Sequence, residues 1–445
     1  MNRDRDRGDG TKPLKLIFRA LQYRNYRLFV GGQGISLIGT WLTRIATSWL
    51  VYRLTGSAFL LGVVGFAGQI PTFFLAPLAG VLVDRFDRHR TLVITQTLAM
   101  IQSFTLAFLA LTGVIRVVHI IVLSVFQGFI NAFDTPARQA FVVEIVERQE
   151  DLPNAIALNS SMFNGARLLG PSIAGILIAS AGEGMCFLVD AISYLAVIAS
   201  LLAMNIRPRT LPPPSMPIWQ GVKDGFTYAF GFAPIRSILF LLGLVSLTGM
   251  PYVVLMPVFA RDILHGGPDT LGFLSAASGM GALAGAIYLA SRKTVLGLGR
   301  IMGLSATIFG AALIAFAFSR VLWLSLLLLL LVGFGMMVQM ASSNTVLQTI
   351  VDDDKRGRVM SFYAMAFLGM APFGSLFAGG VASRIGAPAT ILIGGVTCIL
   401  GAIIFVQRLP SLRQMVRPIY AQRGIIPEVA SGIGIATQWT ELPKE

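Results

Sequence analysis

Three ionisable side chains stand inside stretches that are otherwise apolar: Arg44, Arg167 and Asp190. An ionised group placed in hydrocarbon costs on the order of 2.5–3.5 kcal/mol, so such residues face a cavity or a partner. Two arrangements fit these three. In one, they form a buried ion pair. In the other, Arg44 and Arg167 line a cavity that accepts an anion or is linked to protons. Asp190 is the carboxyl able to carry a proton there, with Asp134, nearer a boundary, as its substitute. Trp41, Gln127, Asn131, Asn164, Tyr252 and Gln339 are further candidates for contact with a substrate, each a polar or amphipathic side chain in an apolar segment. Gln33, Gln69 and Asn344 have the same character, although such groups also serve as glue between helices.

Other chemistries lack their residues. No His-Glu-x-x-His helix, paired intramembrane carboxylates or Ser–His arrangement occurs, so the chain is not expected to be an enzyme. No G-x-x-x-x-G-K-(S/T) loop occurs, which argues against an ATP-driven pump. Cys186 and Cys398 lie in apolar segments, and His89, His119 and His265 are far apart, so no metal or other cofactor is expected. Gly279-Met280-Gly281 is not a dinucleotide loop, because no strand precedes it.

The elements that position these residues follow from composition. Hydrophobic residues make up 55% of the 445 and charged ones 13%, about half the charged share of soluble domains. Lipid must be the solvent for much of the chain. Apolar runs long enough to cross about 30 Å of hydrocarbon occupy 27–51, 58–83, 91–113, 117–138, 155–180, 184–204, 236–260, 269–291, 301–319, 321–346, 357–383 and 387–407. Of the 35 Lys and Arg residues, 28 fall on one side of these twelve spans, 5 on the other and 2 inside. Basic loops stay cytoplasmic, so both termini are expected in the cytoplasm. The same scatter over short loops explains the net charge of +14 without nucleic acid as a partner.

The stretch Arg207-Pro208-Arg209 and Leu211-Pro212-Pro213-Pro214 interrupts the chain after span 6. A short interfacial amphipathic helix follows over 219–230, with Trp219, Val222, Phe226, Ala229 and Phe230 on one face. The expected organisation is a cytoplasmic tail (1–26), a six-helix bundle (27–206), a cytoplasmic linker (207–235), a second six-helix bundle (236–407) and a cytoplasmic tail (408–445). The halves echo each other, as in many transporters. Leu54-Thr55-Gly56 with Leu61-Gly62 recurs as Leu264-His265-Gly266 with Leu271-Gly272, and Gly170-Pro171 recurs as Ala371-Pro372.

Two segments carry denser signals. Gly80 to Arg90, between spans 2 and 3, reads either as an ordinary basic turn or as a conformational latch. In the latch, Gly80 permits close helix approach, Asp84 beside Arg85 sits against the positive N-terminus of span 11, and Arg88 reaches Asp134 at the end of span 4, near Arg138. In span 5, Asn164 to Gly175 combines small residues with Pro171, which suits close helix packing through Gly170, Pro171 and Gly175. Span 8 is itself rich in small residues, through Ala276, Gly279, Gly281 and Gly285.

These segments resemble the major facilitator superfamily. Gly80-Val81-Leu82-Val83-Asp84-Arg85-Phe86-Asp87-Arg88-His89 is similar to its loop signature, with Asp87 in place of the second glycine. Gly165 to Gly175 is similar to its antiporter motif. Phe18-Arg19-Ala20-Leu21, Asn25-Tyr26-Arg27, Trp49 to Gly56, Phe133 to Phe141 and Val416 to Tyr420 resemble the transmembrane secretion effector branch, which includes the enterobactin exporter and is similar to macrolide-efflux proteins. The resemblance implies an all-α membrane protein of twelve helices in two pseudo-symmetric bundles. It further implies a monomeric secondary exporter of a small amphipathic molecule, siderophore-, macrolide- or drug-like, in the bacterial inner membrane. Its expected partners are that substrate, a proton or other coupling ion, and membrane lipid. A lipid or lysolipid translocator of the same fold is the alternative. Where many drug–proton antiporters of the superfamily have an arginine before Gln127-Gly128, this chain has Ser124, which leaves Asp190 and Asp134 to carry coupling.

The topology is directly testable. Cysteines introduced at Gly56 and Gly266 are expected to label from outside, and cysteines at Asp87 and Lys355 from inside. Reversal at any two positions would refute the orientation.

Overall fold

The computed structural model describes residues 19–83, 86–146, 148–206, 226–292, 294–352 and 355–426, and among them every regular element is helical. The helices are α1 (Arg24–Thr55), α2 (Ala58–Val83), α3 (Arg88–Leu111), α4 (Val117–Ile145), α5 (Leu152–Ala181), α6 (Glu183–Leu202), α7 (Ala233–Ile263), α8 (Pro268–Ala290), α9 (Leu298–Phe318), α10 (Leu322–Ile350), α11 (Arg356–Ile385) and α12 (Ala387–Gln422). Eleven are long and apolar enough to cross a bilayer. The other, α1, has 32 residues but carries Arg24, Arg27, Arg44 and Arg53. We call the end holding Arg19 and Gln422 basal and the opposite end apical.

Burial is distributed as lipid solvation requires. Phe108, Val118, Trp323 and Leu327 are exposed, whereas Gln96, Gln102, Ser342 and Ser343 are buried. A surface of large apolar side chains over a core with polar residues suits hydrocarbon rather than water.

Local chemistry sets the ends. Asp87 caps α3, its carboxylate accepting from the Arg90 N–H at 2.9 Å, which accounts for an acid where the loop signature has glycine. At the apical ends of α5 and α11, Gly182 (φ 82°) and Gly386 (φ 86°) turn the chain into the next helix in the left-handed region. These equivalent positions repeat one backbone conformation in both halves. At the basal end the Arg19–Gln22 turn is tied to α5. Arg19 pairs with Asp151 at 2.6 Å, and the Tyr23 hydroxyl donates to the same carboxylate at 2.5 Å. That bond foremost, with burial, pushes the Tyr23 phenol above its ordinary pKa.

Two helices run further than their apolar runs suggested. α4 continues through Pro136 to Ile145, so Asp134 lies within a helix and not at its boundary. α12 continues through Pro410 and Pro418 to Gln422. Of the expected amphipathic helix, 219–225 lies outside the described residues. Residues 226–231 are helical, with Phe230 stacked on Phe226 at 4.5 Å and set edge-on to Phe362 of α11.

α1 and α3 pack along α6, and α2 along α4; in the second half α10 packs on α8 and α9, and α9 on α12. The halves meet where α5 packs on α8 and α2 on α11. Both crossings are built on glycine at the apical end. A Cβ on Gly62 would stand 2.6 Å from the Ser375 carbonyl oxygen and 2.9 Å from Gly379 Cα. One on Gly272 would stand 2.6 Å from the Pro171 carbonyl oxygen and 3.0 Å from Gly175 Cα. Gly62 and Gly272 are the repeat-matched positions of the two halves, so one sequence echo makes both crossings.

Overpacking at such a contact costs about 1–3 kcal/mol. Gly62→Ala or Gly272→Ala is therefore expected to raise apical labelling of a cysteine placed at Ser375, which is buried at the α2–α11 crossing, by fivefold or more. Native Cys186 and Cys398 are buried and do not interfere. Unchanged labelling would show that apical closure does not depend on these glycines.

Candidate functional site

Helix α7 is irregular where it meets the other half. Two π segments, Val245–Gly249 and Phe259–Ile263, flank a short α segment that begins after Pro251. Met250 N–H bonds back to Val245 at 3.0 Å, five residues away. Proline has no N–H to continue the ladder, and the wider turn absorbs the fault. This sets Tyr252, fully buried, with its hydroxyl 2.6 Å from Ser278 Oγ of α8.

Arg44 of α1 and Arg167 of α5 lie within electrostatic reach of each other and of Tyr252. The Arg44 guanidinium stands over the Trp41 ring, 5.1 Å from its centroid, and Phe163 of α5 meets Trp41 edge-on at 6.5 Å. Trp41 is held by the close approach of α5. A Cβ on Gly170 would stand 2.4 Å from Trp41 Cβ. On the other side of α5, a Cβ on Gly279 of α8 would come within 3.1 Å of the Arg167 carbonyl oxygen. Gly170 and Gly175 thus serve two neighbours, α1 and α8. Arg44 is exposed and Arg167 half-buried, and neither has a hydrogen bond or ion pair among the described residues. The buried ion pair considered from sequence is absent there.

Asp190 is held elsewhere. It is buried among α1, α3 and α6, where one oxygen accepts from Thr43 at 2.7 Å and Ser103 at 2.8 Å, while its Oδ1 has no partner. Asp134 is buried too, paired with Arg138 at 2.6 Å and accepting from Thr95 and Gln96. Arg138 donates onward to Gln33 at 3.3 Å. Tyr194 of α6 is within electrostatic reach of both carboxyls.

Of the other expected lining residues, Asn164 stands one turn basal of Arg167 and donates to the Ser160 carbonyl. Gln127 and Asn131 bond each other on α4 at 3.1 Å, with no described contact to either arginine. Gln339 is buried at the α9–α10 interface, beside Ser343, which in turn donates to Met302 of α9. The helical face of Gln339 decides this, and a single glutamine in an apolar run does not reveal its face. Asp84 and Arg85 lie outside the described residues, as do the surroundings of Gly80. Arg88 does not reach Asp134. It pairs with Glu144 at 3.5 Å, because the longer α4 brings that residue to the basal end.

The apical end holds polar contacts missed in the sequence. The Tyr52 hydroxyl of α1 donates to Asp262 of α7, and Arg261 donates to the Tyr52 carbonyl at 3.4 Å. Arg53 holds Glu183 with two bonds, 2.7 and 3.1 Å. The signal available was Arg53 and Arg261 among the few basic residues on the sparsely charged side.

Comparison with known proteins agrees with this architecture. The family model described as transmembrane secretion effector matches residues 18–421. The staphyloferrin A transporter of Staphylococcus aureus is 25% identical over 85% of this chain and 95% of its own. The multidrug efflux pump Tap of Mycolicibacterium fortuitum is 28% identical over 85% and 93%. The macrolide efflux protein A of Streptococcus pyogenes is 25% identical over 86% and 96%. Among solved structures, a bacterial homologue of the lysosomal transporter Spinster, inward-facing and unoccupied, superposes with a TM-score of 0.69 at 14% identity, covering 89% of this chain and 98% of its own.

Because Arg167 and Asp190 share no contact, their substitutions should act independently. The stability changes of Arg167→Gln and Asp190→Asn are expected to add within about 0.5 kcal/mol in the double variant, measured by thermal unfolding in detergent. Recovery of stability in the double variant would instead reveal a direct pair.

Proposed function

This chain belongs to the transmembrane secretion effector family of membrane transporters, and we propose that it exports a small amphipathic molecule by alternating access. The observation that carries this reading is the meeting of Arg44, Trp41, Arg167 and Tyr252 between the halves, on three helices drawn from both. Siderophore-, macrolide- and drug-like molecules share an apolar body with polar handles, which this lining of rings and guanidinium groups suits. Two of the relatives named above, the multidrug efflux pump Tap and the macrolide efflux protein A, point the same way, and a third is the staphyloferrin A transporter.

The basal end is cytoplasmic in this reading, because 28 of the 35 basic residues fall on that side. Both termini then face the cytoplasm of a bacterial inner membrane, and the glycine crossings close the outer end. The bundles 27–206 and 236–407 rock about those crossings, joined by the linker 207–235. The protein works as a monomer. Arg88, Asp134 and Arg138 lie toward the basal side, and with Gly80, Asp84 and Arg85 they are the residues assigned to the opposite closure in this reading.

The export is coupled to inward proton movement, with Asp190 as the carrier. Its unpartnered Oδ1 is a buried acceptor without a donor, an arrangement that a protonated carboxyl relieves. Tyr194 is within electrostatic reach of it and of Asp134, which extends the polar interior of the first half toward the basal end.

Asp190→Asn is expected to keep the fold, since asparagine still accepts from Thr43 and Ser103. In reconstituted vesicles it should lose transport driven by a pH gradient by tenfold or more, while substrate exchange without a gradient persists. Undiminished pH-driven transport would remove Asp190 from the coupling path.

A further inference from the structure

We propose that the face where Arg44 and Trp41 of α1 approach Arg167 and Phe163 of α5 selects an anionic substrate, a carboxylate-bearing molecule with a flat aromatic or apolar body. This rests on the export reading above and names the charge of what is exported. Two guanidinium groups within electrostatic reach of each other, in helices set among apolar spans, repel, and a charge left without a partner at that depth is costly. Among the described residues, none supplies a counter-charge to them. The neighbouring acids are committed elsewhere: Asp190 to Thr43 and Ser103, Asp134 to Arg138, Glu183 to Arg53, and Asp262 to Tyr52.

The missing negative charge must therefore arrive with the ligand. Each guanidinium offers up to five N–H donors in a planar fork that matches a carboxylate. Trp41 occupies one face of Arg44 and leaves the N–H edge available. Arg167 keeps its whole fork. Trp41 and Phe163 border the pair with ring surface, which suits a planar body more than an aliphatic one. A cationic molecule would add a third like charge, so the same site discriminates against it.

The test uses three probes on one scaffold: naphthalene-2,6-dicarboxylate, its neutral diamide, and the matching bis-trimethylammonium dication. Binding to the full chain in nanodiscs is followed by calorimetry, and movement is followed in reconstituted vesicles. The dianion should bind at least about tenfold more tightly than the diamide, and the dication should not bind. Arg167→Gln should reduce that preference about tenfold, while Arg167→Lys, which keeps the charge, should retain part of it. Retained preference in the lysine variant separates charge recognition from misfolding.

Equal or tighter binding of the dication, or binding of none of the three probes, would overturn the inference. Dianion binding without transport would support the charge assignment and defeat the export reading. Transport of the dication as fast as the dianion would do the reverse.

Discussion

The structure depends on two places where backbone meets backbone with no room for a side chain. Gly62 against Gly379 and Gly272 against Gly175 let α2 reach α11 and α5 reach α8 at van der Waals distance. Within lipid there is no hydrophobic gain in bringing apolar helices together, so such contacts rely on close packing. Both crossings sit at the same end, which fixes which side of the molecule is shut. The cavity residues are positioned by the same helix. One side of α5 presses on α8 through Gly175, while Gly170 admits Trp41 and so places Arg44 beside Arg167.

The polar groups divide into two kinds. In the first half, Asp134, Arg138, Gln33, Thr95 and Gln96 are linked in a buried network that leaves Gln96 Oε1 unpartnered, and Asp190 is held by two hydroxyls. These groups have protein partners for most of their bonding capacity. Among the described residues, Arg44 and Arg167 have none beyond a ring face. A charge satisfied inside the fold contributes to structure, whereas one left open between two moving halves is available to a ligand. That difference, more than depth in the membrane, separates the candidate binding residues from the candidate coupling residues.

The irregular helices fall in the second half. α7 contains two π segments and α11 one, Met365–Gly369, and Ser246 of the first α7 segment donates to the Phe367 carbonyl in α11. Wide turns leave carbonyls that need donors, and here one fault helps to satisfy another. Phe73 of α2 packs against Gly369 and Phe373 in the same region, next to a crossing.

The chain's sequence alone determined that it is an all-helical membrane protein and near which residues its helices run; it marked Gly62 and Gly272 as a repeat, while the glycines they meet, Gly379 and Gly175, came only with the fold. Apolar length, basic asymmetry and a repeated Leu-Gly are one-dimensional signals, and helix geometry in lipid leaves few alternatives. It also singled out Arg44, Arg167 and Asp190, since a charge in an apolar run is visible without any fold. Only the tertiary structure decided their partners. Which face of α6 meets α1 and α3 sends Asp190 to Thr43 and Ser103 and not to Arg44. The extra turns of α4 give Arg88 to Glu144, and the face of α10 buries Gln339 beside α9. Pairing between side chains distant in sequence depends on helix rotation and register, and a rotation of about 100° per residue turns a small error in either into a different neighbour.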